Sequence, residues 1–130
     1  MASWQELATY IRSNYKIAKE ESDLIKLIFD TGGLRSQVVL LTREALMDGS
    51  EEWVQISSAV APLGSLNLEQ FLRDVGGTVC GGAALEGNTL VIKHAAPLAN
   101  LNINEIERPL LLVTATADSL EKKFVGVDQF

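Results

Sequence analysis

Apolar and polar positions along this chain change period several times, and each change predicts an element. Ser3 and Glu6 form an S-x-x-E capping box, and Trp4, Leu7, Ala8, Ile11 and Tyr15 mark one face of a first helix ending near Tyr15 to Ala18. Lys19 to Asp23 reads as a polar connector. Leu24 to Asp30 is a strand closed by Thr31-Gly32-Gly33, and Gln37 to Arg43 is a second strand rich in β-branched and aliphatic residues. Glu44 to Glu51, with Asp48-Gly49, is a loop, and Glu52 to Val60 is a third strand broken by Pro62-Leu63-Gly64.

A short helix follows, opened by Asn67 and Gln70. It carries Leu68, Phe71, Leu72 and Val75 and ends at Gly76-Gly77 in the manner of a glycine C′ cap. Strands from Thr78 to Glu86 and Thr89 to Ala95 flank a Gly87-Asn88 pair suited to a two-residue hairpin turn, and Gly81-Gly82 marks a bulge or close backbone approach. After Pro97-Leu98, Asn102 with Glu105 caps a long stripe of Ile103, Ile106, Leu110, Val113, Ala117, Leu120 and Phe124. Pro109 lies in that stripe, so the final segment is either one kinked helix or a turn followed by a helix from Pro109. The order α-β-β-β-α-β-β-α predicts an α+β domain spanning 1–130, with a mostly antiparallel five-stranded sheet and packed helices.

Strand parity adds a second expectation. Val54, Ile56 and Ser58 point one way while Trp53, Gln55 and Ser57 point the other. Ile25, Leu27 and Phe29 share a face, yet Leu24 and Ile28 occupy the opposite one, and Val39 and Leu41 are backed by Val38 and Leu40. A sheet with one wet face alternates more cleanly than this, so a helix, another subunit or a bound peptide is expected over part of the second face. Trp53 is either tucked under the first helix or an anchor for a partner. Trp53, Leu24, Ile28, Val38 and Leu40 are therefore candidate partner-binding residues, and Leu68, Phe71, Leu72 and Val75 a candidate dimer interface.

Composition narrows the classes. The 130 residues are 47% hydrophobic, an ordinary globular balance, with a net charge of −6 that disfavours nucleic acid as a partner. Apolar runs such as Leu110 to Val113 are too short to insert into a membrane, and the N-terminus carries no signal-peptide pattern, so a cytoplasmic location is expected. The single cysteine, Cys80, can form no internal disulfide and reads as an inert thiol in an apolar strand. His94 is the single histidine, with no nucleophile in a recognisable partner motif, and reads as a core-edge residue. The glycines form no phosphate loop. Glu51, Glu52, Glu105, Glu107, Asp118 and Glu121 show no metal-loop spacing and read as caps and solvated faces. No catalytic residue, metal site or cofactor is expected.

The chain, element by element, resembles the class I type III secretion chaperone-like fold, including its YbjN-like relatives outside secretion systems. Its second half carries the similarity. Val60-Ala61-Pro62-Leu63-Gly64 leads into Leu68-Glu69-Gln70-Phe71-Leu72, and the strands Thr78–Glu86 and Leu90-Val91-Ile92 follow. Pro97-Leu98 then precedes the helix bearing Ala117-Asp118-Ser119-Leu120-Glu121. The resemblance implies a homodimer that binds a segment of a client protein without ATP or catalysis. The chain is also similar to small cyanobacterial proteins of this fold, which implies a role in assembling a larger body such as a bacterial microcompartment (the carboxysome). A structural or regulatory subunit of a complex is the alternative. An enzyme or small-molecule binder built around His94 and Cys80 ranks last.

Overall fold

A computed structural model describes residues 2–79 and 82–125. The element order is α1 (Trp4–Asn14), β1 (Ile17–Glu21), β2 (Leu24–Gly32), β3 (Arg35–Leu46), β4 (Glu51–Pro62), α2 (Leu68–Gly76), β5 (Gly82–Glu86), β6 (Thr89–Pro97) and α3 (Ile103–Phe124). The strands form one open sheet in the order β1-β2-β3-β4-β6-β5, and every neighbouring pair is antiparallel. The sheet has six strands among the described residues, not the expected five. The extra one is β1, which occupies the supposed polar connector and pairs with β2 through Glu20–Ile25 and Glu21–Leu24. An edge strand needs no apolar alternation, and charged side chains there discourage pairing with other chains.

Local chemistry starts each helix as the sequence suggests. Ser3 Oγ accepts from the Glu6 N–H at 3.2 Å, Asn67 Oδ1 from the Gln70 N–H at 3.0 Å, and Asn102 Oδ1 from the Glu105 N–H at 3.0 Å. The end of α2 differs from expectation: Gly77 is right-handed at φ −90°, so no left-handed glycine cap forms. The final helix is continuous across Pro109. The ring deletes a single donor, while Ile106, Leu110, Val113, Ala117 and Leu120 stay buried on one face, and that burial outweighs the lost bond. Ile103, first in the stripe, is half-exposed.

The hairpins also refine the expected boundaries. Where a loop was expected over Glu44 to Glu51, β3 continues to Leu46, and the chain reverses through left-handed Met47 and Asp48 (φ 52° and 56°) followed by Gly49. The β5–β6 turn is the two-residue one foreseen, with Gly87 at φ 59° between the paired Glu86 and Thr89. Cys80 and Gly81 lie outside the described residues, and with them the expected bulge at Gly81.

All three helices pack against one face. The buried cluster joins Trp4, Leu7 and Ile11 of α1, Phe71 of α2 and the α3 stripe to Ile25, Leu27, Val39, Leu41, Val54, Ile56 and Ile92 of the sheet. Leu98, buried just after β6, donates its N–H to the Glu52 carbonyl at 2.9 Å and fixes where α3 begins. The α3 C-terminal half is tied to the β2–β3 hairpin by Arg35, which reaches Asp118 and Glu121 at 3.1 Å each. The Glu121 side chain is fully buried. Asp118 and Glu121 are therefore an internal ion-pair cluster, not the solvated face their spacing suggested.

Candidate functional site

The sheet's second face carries no helix among the described residues, and its side chains alternate with the buried set. On β3, Gln37, Val39 and Leu41 are buried, while Val38 and Leu40 between them are partly exposed. Register turns these outward residues into rows across the sheet. One row is apolar: Ile28 pairs with Val38, while Ala59 pairs with Val91 and Val91 with Ala84. The next runs Lys26–Leu40–Ser57–Lys93, each pair in direct register. Leu24–Thr42–Gln55–Ala95 follows, and Glu44–Trp53–Pro97 closes the face.

A bulge in β4 between Ala59 and Ala61 shapes this surface, because an extra residue bends and twists a strand. Beneath it, buried Gln37 donates its Nε2 to Ser58 Oγ at 2.9 Å and to the Ala59 carbonyl at 2.7 Å, and Ser58 Oγ donates to the Val38 carbonyl at 2.6 Å. These bonds stitch β3 to β4 where regular ladder pairing is interrupted. Above them lies a groove of about 400 Å³, floored by Val38, Leu40, Ala59 and Val91 and edged by Lys26 and Glu86. A smaller hollow continues toward Glu44 and Lys93.

The partner-binding residues expected from parity all lie on this face. Val38 and Leu40 line the groove, and Leu24 and Ile28 flank it on β2. Ile28 is half-exposed. Trp53 stands apart, at the far end. It does not lie under α1, which packs on the opposite face over Val54, and its Nε1 donates to Glu51 Oε1 at 3.1 Å. Sequence reasoning missed Lys26, Ala59, Val91 and Lys93. Parity counting in β2, β4 and β6, together with the pairing register, is the signal that finds them.

The α2 set divides. Phe71 is fully buried against Phe124, with ring centroids 5.9 Å apart, and belongs to the core rather than to an interface. Leu68 and Leu72 are 43% and 52% exposed, and Val75 is half-buried. Leu68 and Leu72, with Leu63 and Leu85, border an apolar hollow beside β5, one edge of the sheet. His94 sits opposite Ile56 on the helix-covered face, half-buried, as a core-edge residue.

The perturbed titrating groups lie away from the groove and have structural causes. The Tyr10 hydroxyl donates to Glu107, and that bond, with burial, pushes its pKa up to about 12. The Arg43 guanidinium, 2.8 Å from Glu52, holds that carboxyl below its usual range, helped by the Trp4 N–H. Lys123 does the same for Asp74, joining α3 to α2. No group of three or more potential metal-ligating side chains occurs among the described residues, and no helix there is long and apolar enough to cross a membrane.

The fold is thus an α+β class with an open antiparallel sheet and three helices on one side. Among known proteins, no family model matches the chain and no curated protein matches it significantly.

Proposed function

We propose that this chain is a non-catalytic adaptor or chaperone of the type III secretion chaperone-like class, acting in the cytoplasm as a homodimer. It holds a segment of a partner protein on the open face of its sheet. The observation that carries the reading is that Ile28, Val38 and Ala59 lie outward, with buried Val91 at the bottom of a groove, on the face the helices leave free. A sheet that needs only one buried face has no folding reason to place so many aliphatic side chains on the other. The outward Leu68 and Leu72 beside the β5 edge offer a self-complementary patch for a second copy.

Capture from native extract with wild-type chain and with Leu40→Asp, followed by mass spectrometry, tests the binding face. A discrete partner is expected with wild type and should be lost with the variant at unchanged melting temperature. Equal capture by both would remove the face from consideration. Light scattering on a sizing column tests the dimer. Leu68→Glu with Leu72→Glu should convert a dimer to a monomer, and a wild-type monomer at micromolar concentration would overturn this half of the reading.

A further inference from the structure

Resting on the reading that the open face receives a partner segment, we propose that the segment is acidic and extended, with carboxylates four residues apart that meet Lys26 and Lys93. The two lysines lie three strands apart on one register row, Lys19–Lys26–Leu40–Ser57–Lys93–Gly82, whose β1 member Lys19 already pairs with Glu21 at 3.0 Å. Both are half-buried beside apolar neighbours, and neither is among the residues that form ion pairs. Arg12, Lys19, Arg35, Arg43, Arg73 and Lys123 hold carboxylates; of the cations that do not among the described residues, Lys26 and Lys93 are the two that share one row of the open face. The carboxylates near them are Glu21, held by Lys19 beside Lys26, Glu86 on the groove's rim, and Glu44, which already accepts from Gln55 at 2.9 Å.

Geometry sets the spacing. Three strand-to-strand steps separate Lys26 from Lys93, roughly 14 Å at about 4.8 Å each. An extended chain advances about 3.3 Å per residue and returns to the same side every second residue. Residues i and i+4 therefore stand roughly 13 Å apart on one side, with i+2 between them over Leu40 and Ser57. An apolar side chain suits i+2, and the adjacent apolar row receives neighbouring aliphatic groups. Charge here sets register and selects partners, while the apolar rows supply the area.

The test titrates labelled nine-residue peptides against the full chain by fluorescence anisotropy. One carries Glu-Thr-Val-Thr-Glu at its centre, a second replaces both Glu by Lys, and a third moves one carboxylate to give an i, i+3 pair. The first should bind about tenfold tighter than the second and measurably tighter than the third. Lys26→Glu with Lys93→Glu should reverse the order of the first two at unchanged melting temperature. Equal binding of the acidic and basic peptides, or a preference for the basic one, overturns the acidic-partner proposal; loss of that binding in Val38→Asp would still support the open face. Failure of all three peptides, or binding indifferent to Val38→Asp, overturns both. Dodecanoate is included as a rival, and binding of that fatty acid without the acidic peptide would assign the groove to lipid and sink the proposal.

Discussion

The two faces of this sheet carry similar residue types and different obligations. On the covered face, Ile25, Leu27, Val39, Leu41, Val54 and Ile56 are sealed under α1 and α3. On the open face, Leu24, Ile28, Val38, Leu40 and Val91 are also aliphatic, but a groove stands where helices would be. Hydropathy alone does not separate these sets. What separates them is the helix stripe, which is wide enough to cover one face only, so the second set is left outward by arithmetic. Residues whose burial the fold requires should answer to stability, and residues left over should answer to binding.

The sharpest way to break that division is inside α2, where adjacent leucine and phenylalanine fall on opposite sides of it. Phe71→Ala should cost about 3–5 kcal/mol in a denaturant melt, because a fully buried ring is removed and its partner Phe124 loses contact. Leu72→Ala, half-exposed within one copy, should cost less than about 1 kcal/mol when melted at a dilution that separates the proposed dimer. Similar losses at both sites would show that α2 is still covered at that dilution.

Next in size is Arg35. Arg35→Met removes the cation from Glu121, whose side chain is fully enclosed, and from Asp118, which is mostly so. Removing the cation of a buried ion pair is expensive, so about 3 kcal/mol should be lost at neutral pH. Combining it with Glu121→Gln should restore part of the loss, which an unrelated packing defect at Arg35 would not allow. Urea titrations of the single and double variants measure both.

These cases also show what the sequence could and could not convey. The α1 and α3 stripes, the three helix N-caps and the Gly87-Asn88 turn were legible because each depends on residues within a turn or two of one another, whereas the glycine cap expected on α2 did not form. The open face was legible from parity in β2, β3 and β4. The Arg35–Glu121 pair was not, since 86 positions separate its members and nothing local distinguishes a buried glutamate from a solvated one. Strand β1 was hidden for the opposite reason, as its charged residues satisfy an exposed edge and leave no alternation. The left-handed Met47 was invisible too, because Asp48-Gly49 already accounted for the turn.

On the binding side of the division, Trp53→Ala separates two measurements. The ring lies on the open face, so folding stability should fall by less than about 1 kcal/mol. If the partner segment extends past the groove to the Glu44–Trp53–Pro97 row, affinity should drop by about 2 kcal/mol, since a large aromatic at an interface dominates its neighbours. A stability loss of about 3–5 kcal/mol instead would place the ring in the core. Unchanged affinity would confine the partner to the rows around Val38 and Leu40.

The smallest expected effect belongs to Tyr10, which joins α1 to α3 through Glu107 on the covered side. Its pKa is raised from 10.0 to about 12, first by the bond to Glu107 and then by burial. The folded state thus favours the neutral phenol more strongly than the unfolded chain does. That contribution is fully present below about pH 10 and is lost as pH rises from 10 toward 12, where the unfolded chain gives up the proton first. Lysines titrate in the same window, so wild type alone is not informative, and the comparison must be made with Tyr10→Phe. The difference in melting temperature between the two should be constant from pH 7 to 9 and shrink above pH 10, with wild type losing its advantage. A difference that stays constant to pH 11.5 would mean that the hydroxyl–carboxylate bond does not hold α1 against α3. The contact between α1 and α3 would then rest on apolar packing.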